Sequence, residues 1–223
     1  MENEKETRLR ILDAAAELFG ERGKTAVSTA EIAKMAAINK AMIFYYFGSK
    51  EKLYQAAIRA WFSDLTGTVM EKLAGTEPGL PMIEAFVRAH IGYLLKRPSM
   101  VKLVIRELLS RDSSPSPLLS EGMGGFLGIR DKLIESFIVA KARGEIRDVD
   151  PIQTAVNIIS MDIFFFLGKP IVKMINSDVD LNEFGRNRVN HIIDLLMNGL
   201  RKRPELQPPK SPKGGLKGKQ DNA

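Results

Sequence analysis

At 223 residues, with 44% apolar and 27% charged side chains, the chain has a globular composition and enough length for one large core or two smaller ones. It contains no cysteine, which excludes disulfides, thiol nucleophiles and thiolate metal sites and fits a reducing, cytoplasmic compartment. The net charge of +6 is concentrated at one end: from Arg201 onward seven basic residues face two acidic ones, so this segment carries +5 and the rest of the chain only +1.

The opening MENEKETRLR is charged and lacks the apolar stretch of a signal peptide or anchor. Thr7 to Glu21 has Leu9, Leu12, Ala16 and Phe19 at helical spacing and stops at Gly23. Ser28 and Glu31 form an S-x-x-E capping box that opens a second helix, with Ile32, Ala33 and Ala36 on its buried face. Ala37-Ile38 is a turn. Asn39 is the N-cap of a helix over Lys40 to Phe47, which Gly48 ends. Ser49 caps the next helix, which runs from Lys50 to about Leu73.

Gly75 to Pro81 is rich in helix breakers. Beyond it, helices are predicted over Met82 to Lys96, Ser99 to Arg111 and Leu119 to Arg143, the last loosened at its start by Gly122, Gly124, Gly125 and Gly128. Asp112 to Pro117 reads as a loop. The four glycines lack the G-x-G-x-x-G spacing and follow no strand, so a nucleotide loop is rejected. Asp150 caps and Pro151 begins an apolar helix to Leu167, which Gly168-Lys169-Pro170 should kink or break. Its apolar run, near Ile158 to Leu167, is too short to span a bilayer. Leu181 to Lys202 is the last helix. From Pro204 the composition turns to Pro, Lys, Gly and Gln, which predicts a disordered basic tail over 204–223. No stretch alternates with period two, so the fold class is all-α.

The segment Lys40 to Phe47 has too little apolar surface to be buried on all sides, yet combines a lysine, a methionine and several aromatics. That composition suits a helix with one face directed at the DNA major groove. Ile11, Ala15, Leu18 and Phe19, then Ser28, Thr29, Ile32, Ala33 and Ala36, then Lys40, Ile43, Tyr45, Tyr46, Phe47, Ser49, Lys50, Glu51 and Leu53 make up a specific pattern over the first quarter of the chain. In it the sequence resembles the TetR family of bacterial one-component regulators. The resemblance implies an N-terminal three-helix helix-turn-helix DNA-binding domain over 1–60. It also implies a larger C-terminal helical ligand-binding and dimerisation domain over 61–203, with the division inside the helix that begins at Lys50.

It further implies a homodimer joined through the last two helices, a palindromic double-stranded DNA operator, and a small, largely apolar effector. By helix-turn-helix docking geometry, Lys40 is the first choice for a base contact, with Ala41 and Met42 as apolar neighbours, and Met42 and Phe44 are DNA-binding candidates suited to apolar contact such as with thymine methyl groups. Thr29, Tyr46 and Lys50 are assigned to phosphates. Three positions depart from the family pattern. Ala37 replaces the turn glycine and implies a turn without positive φ. Met42 replaces a threonine, and Phe44 has no hydroxyl for a phosphate. Tyr45 is assigned to packing.

His90 and His191 are the only histidines and have no ligand spacing for a metal, so neither a metal nor a cofactor is expected. His90, Phe86, Arg106, Met161, Asp162 and Phe165 are candidate effector-pocket residues, polar groups among apolar and adaptable ones. Asp162 inside IISMDIFFFL requires a partner. No set of residues assembles a catalytic site, so the chain is read as a regulator and not an enzyme. The alternative is an α-helical protein-interaction module without DNA binding.

Overall fold

The computed structural model describes residues 2–109 and 117–202, and among these there is no strand beyond a single antiparallel bridge between Ile146 and Arg201. The helices are α1 (Glu2–Arg22), α2 (Thr29–Met35), α3 (Lys40–Phe47), α4 (Lys50–Leu73), α5 (Leu80–Lys96), α6 (Pro98–Leu109), α7 (Pro117–Gly124), α8 (Phe126–Ala142), α9 (Pro151–Ile175) and α10 (Leu181–Leu200). The all-α class is as the periodicity implies. The basic tail and the Asp112–Pro117 loop fall on or largely on residues outside those described.

The first three helices form a small unit around Ile11, Ala15, Phe19, Ile32, Ile43 and Phe47, all buried. α4 continues unbroken through residue 60 and serves two cores. Its first turns pack on this unit, with the Tyr54 ring edge-on to Phe19 at 5.3 Å. Farther along, Trp61 meets Tyr93 of α5, and Phe62 meets Phe126 of α8. A second seam is direct: α1 lies along α6 so closely that a Cβ on Gly20 would sit 2.0 Å from the Ser99 carbonyl oxygen.

Three expectations about the backbone are corrected. Ala37 has φ +52, in the left-handed region. The turn between α2 and α3 needs that conformation: the Ile38 amide donates back to the Ala33 carbonyl and the Ala37 amide to Lys34. Leu119 to Arg143 is not one helix but two, split at Gly125, which lies against Thr66 of α4. Gly168-Lys169-Pro170 does not end α9, which runs to Ile175, because buried Phe165 and Phe166 anchor it before the proline and helical bonding resumes after it, with the Asn176 amide donating to Val172.

The apolar run is therefore part of a 25-residue helix with a window of mean hydropathy 1.6, long and apolar enough by those measures to cross a membrane. In the fold this helix packs on α5, α6, α8 and α10 and carries the buried Asp162. Its other face is bare: Ile152, Val156, Phe164, Leu167, Ile171, Met174 and Ile175 are exposed.

Candidate nucleic-acid interface

α3 is held from one side only. Ile43 and Phe47, four residues apart, are its buried anchors. The opposite stripe pairs Lys40 with Phe44 and Ala41 with Tyr45, and all four are exposed, Phe44 by 45% and Tyr45 by 74%. Met42 and Tyr46 flank the stripe and are half-buried. The helix starts cleanly because Asn39 Oδ1 accepts from the Ala41 amide at 2.8 Å. Gly48, with φ +75, ends it where Ser49 caps α4 by accepting from the Lys52 amide. Among the described residues no ion pair engages Lys40, whereas nearby Lys24 is held by Glu51 at 2.8 Å.

The supporting helix α2 is fixed by the capping box. Ser28 Oγ accepts from the Glu31 amide at 3.2 Å, and Glu31 Oε2 accepts from the Ser28 amide at 2.8 Å. Arg22 Nη1 also donates to Glu31, at 2.6 Å. The Ser28 backbone hydrogen bond, then the Arg22 guanidinium, hold the Glu31 carboxyl down at about 2. Thr29 is half-buried at the first position of α2, and Lys50 is half-buried at the first position of α4.

The structure places one tyrosine differently from its assignment. Tyr45, assigned to packing, is the exposed one; Tyr46 is tucked against the core with its ring 5.1 Å from Tyr45, and partial burial pushes its hydroxyl pKa up. The signal was available, since Tyr45 follows Ala41 by four residues and must share its face.

In the larger unit, Phe86, His90, Asp162 and Phe165 converge. The His90 ring stacks on Phe86 with centroids 5.3 Å apart. Its Nδ1 lies 2.6 Å from Asp162 Oδ2, joining α5 to α9 with both side chains buried. Burial pushes the Asp162 carboxyl up, against the opposing pull of His90 and Arg188. Met161 is half-buried, and its carbonyl accepts from Arg188 Nη2 at 2.8 Å. Arg188 also lies over the Phe165 ring.

Arg106 is not brought to this cluster. Its Nε and Nη2 donate to the Gly20 and Glu21 carbonyls, each at 3.3 Å, because the C-terminal end of α1 presents free acceptors to a cation. His191 is exposed.

The family described as "Bacterial regulatory proteins, tetR family" matches residues 11–57, which span α1 to the first turns of α4. The HTH-type transcriptional repressor NicS of Pseudomonas putida is 28% identical over 203 residues, 88% of this chain and 93% of its own. Two solved structures share the fold. AibR in complex with isovaleryl coenzyme A and operator DNA has a TM-score of 0.66 at 22% identity, covering 86% of this chain and 98% of its own. The ketosteroid regulator KstR2 of Mycobacterium tuberculosis has a TM-score of 0.66 at 18% identity, covering 88% and 95%.

Proposed function

This chain belongs to the TetR family of bacterial regulatory proteins, and on that premise we propose that it is a cytoplasmic, dimeric repressor that releases a palindromic operator when a small effector binds. The observation that carries the reading is the one-sided burial of α3. Ile43 and Phe47 are consumed by the core, and a contiguous stripe of Lys40, Ala41, Phe44 and Tyr45 is left free on a rigid, capped rod. Lys40 contacts a guanine edge. Ala41, Met42 and Phe44 meet thymine methyl groups. Thr29 and Lys50 engage phosphates at the helix starts, Tyr46 engages one from the last turn of α3, and Tyr45 joins them from the exposed face.

Residues 1–60 are the DNA-reading unit and 61–203 the effector and dimer unit, divided within α4. The bare apolar face of α9, with Phe184 and Leu195 exposed on α10, supports dimerisation through these two helices. Such a dimer must set its two α3 rods about 34–36 Å apart to reach successive major grooves. A largely apolar effector fits walls made by Phe86, Met161 and Phe165, with His90 and Asp162 as the polar groups.

A gel shift with DNA from upstream of the protein's own gene tests the proposal, and a retarded band from folded dimer at low salt is expected. Lys40→Ala should lose about 1–3 kcal/mol of discrimination at one base pair. Lys50→Ala should weaken cognate and random DNA alike and flatten the salt dependence. No band, or equal effects of the two substitutions on both DNAs, refutes the reading.

A further inference from the structure

The His90–Asp162 tie between α5 and α9 uses only one carboxylate oxygen. The other, Asp162 Oδ1, is buried with no hydrogen-bond partner, and Asp162 as a whole is 1% exposed. A second orphan lies on the helix packed against α9. Arg188 of α10 donates through Nη2 to the carbonyl of Met161, the residue before Asp162, but its Nε is also buried and unpartnered. The guanidinium is close enough for its charge to act on the Asp162 carboxyl. A bare acceptor and a bare donor thus occupy one neighbourhood, walled by Phe86 stacked on His90 and by Phe165, which in turn lies against Phe184 at 5.8 Å.

Unmet polar groups in a low-dielectric setting are costly, and the cost falls when one incoming group satisfies both. That group must donate to Asp162 Oδ1 and accept from Arg188 Nε. A hydroxyl or a carboxamide does both. A carboxylate can only accept, and it brings a like charge to Asp162. An ammonium can only donate, and it brings a like charge to Arg188. We propose that Asp162 and Arg188 form the polar anchor of an effector site that selects an uncharged hydroxyl or amide head on an apolar or aromatic body, and that excludes the ionised analogues. This rests on the effector-domain reading above and specifies the chemical class that domain admits.

The test uses the full chain and four probes that share a ring and differ in the head: phenol, benzamide, benzoate and benzylammonium. Binding is followed by the His90 imidazole resonance and by thermal midpoint, without DNA, so that a failure to bind an operator and a failure of this site are scored separately. Phenol and benzamide are expected to shift the His90 signal and to bind at least tenfold more tightly than benzoate or benzylammonium. Asp162→Asn keeps an acceptor oxygen but removes the charge, so it should retain phenol and admit benzoate at least tenfold better than the wild-type chain does. Arg188→Met should do the same for benzylammonium. Circular dichroism checks that both variants fold, and the wild-type selectivity needs neither of them. The proposal is overturned if none of the four probes binds the wild-type chain, if benzoate or benzylammonium binds it as well as phenol, or if folded Asp162→Asn still excludes benzoate.

Discussion

Replacing Gly20 with alanine should destabilise the protein although helix propensity alone predicts the reverse. Gly20 lies inside α1, where alanine is favoured over glycine by about 1 kcal/mol. The added Cβ, however, would lie 2.0 Å from the Ser99 oxygen, 2.7 Å from its carbonyl carbon and 3.1 Å from its Cα. These distances are far inside the ~3.5 Å optimum of a carbon contact. All three atoms are backbone, so no side chain can rotate away, and α1 must part from α6. Overpacking costs about 1–3 kcal/mol, and an unyielding backbone puts this case at the upper end. Net of propensity, a loss of about 2 kcal/mol is expected. Gly67 supplies the control. It sits inside α4, and a Cβ there meets nothing within 4 Å. Gly67→Ala should therefore stabilise by about 1 kcal/mol. Urea unfolding at one fixed protein concentration reads both, since the proposed dimer would make the midpoint concentration-dependent. A Gly20→Ala protein as stable as the parent, or more so, would show that the α1–α6 contact yields and that the steric reasoning is wrong.

Ala37→Gly should stabilise the α2–α3 turn by about 0.5–1 kcal/mol, since relief of a left-handed alanine (about 1–2 kcal/mol) exceeds the added freedom of the unfolded chain (about 0.5–1 kcal/mol). Slower amide exchange in α2 and α3 is the readout, and faster exchange contradicts the φ +52 assignment. Glu31 carries a carboxyl lowered to about 2 from 4.5, so its contribution is complete above pH 4.5 and disappears as pH falls toward 2. Protection of α2 amides should decline across that window in the parent and stay flat in Glu31→Gln; parallel declines would remove the capping box as the cause. Tyr45→Ala should leave thermal stability nearly unchanged, because the side chain is 74% exposed, while reducing operator affinity; unchanged affinity would take Tyr45 out of the interface.

What the sequence made legible was local. Ser28, Asn39, Ser49 and Asp150 cap helices where their side chains and spacing indicate, since an N-cap needs only a short oxygen-bearing side chain and the amides two or three residues on. The outward stripe of α3 was half legible. Its period follows from Ile43 and Phe47, but aromatic identity pulled Tyr45 inward when its spacing from Ala41 points outward. Tertiary partners decided the rest. Pro170 reads as a break until buried Phe165 and Phe166 hold the helix before it and backbone bonding resumes beyond it. Ala37 reads as an ordinary residue until the turn demands positive φ. Asp162 declares its need for a partner through its apolar surroundings, but that the partner is His90, 72 positions away, lies in the packing of α5 on α9. Arg106 shows the converse: a cation placed with the pocket residues by composition belongs to the end of α1 by geometry.

The two seams between the proposed DNA-reading unit and the larger unit differ in stiffness, and under the proposed function that difference would decide how an effector signal is transmitted. Along α4 the connection includes long side chains that tolerate adjustment. Tyr54 donates to Glu107 of α6 at 2.8 Å, and Arg59 donates to Glu121 of α7 at 2.7 Å. At the α1–α6 seam, backbone meets backbone at Gly20 and Ser99. Lys102–Glu21 at 2.6 Å and the Arg106 hydrogen bonds to the α1 carbonyls close it on the same helices. A displacement of α6 must therefore carry α1, and with it the Ile11, Phe19 and Ile43 core that aims α3. α6 also packs on α9, which bears Asp162, so a group seated on that carboxylate bears on the helix that α6 rests against. An effector changes operator affinity only as far as it binds the two arrangements differently, and the operator must then weaken effector binding by the same factor. Weakening the stiff seam should shrink that factor: Gly20→Ala protein that still binds both partners should show a coupling factor nearer to one than the parent, measured as effector affinity with and without saturating operator. An undiminished factor would place the coupling in α4 instead.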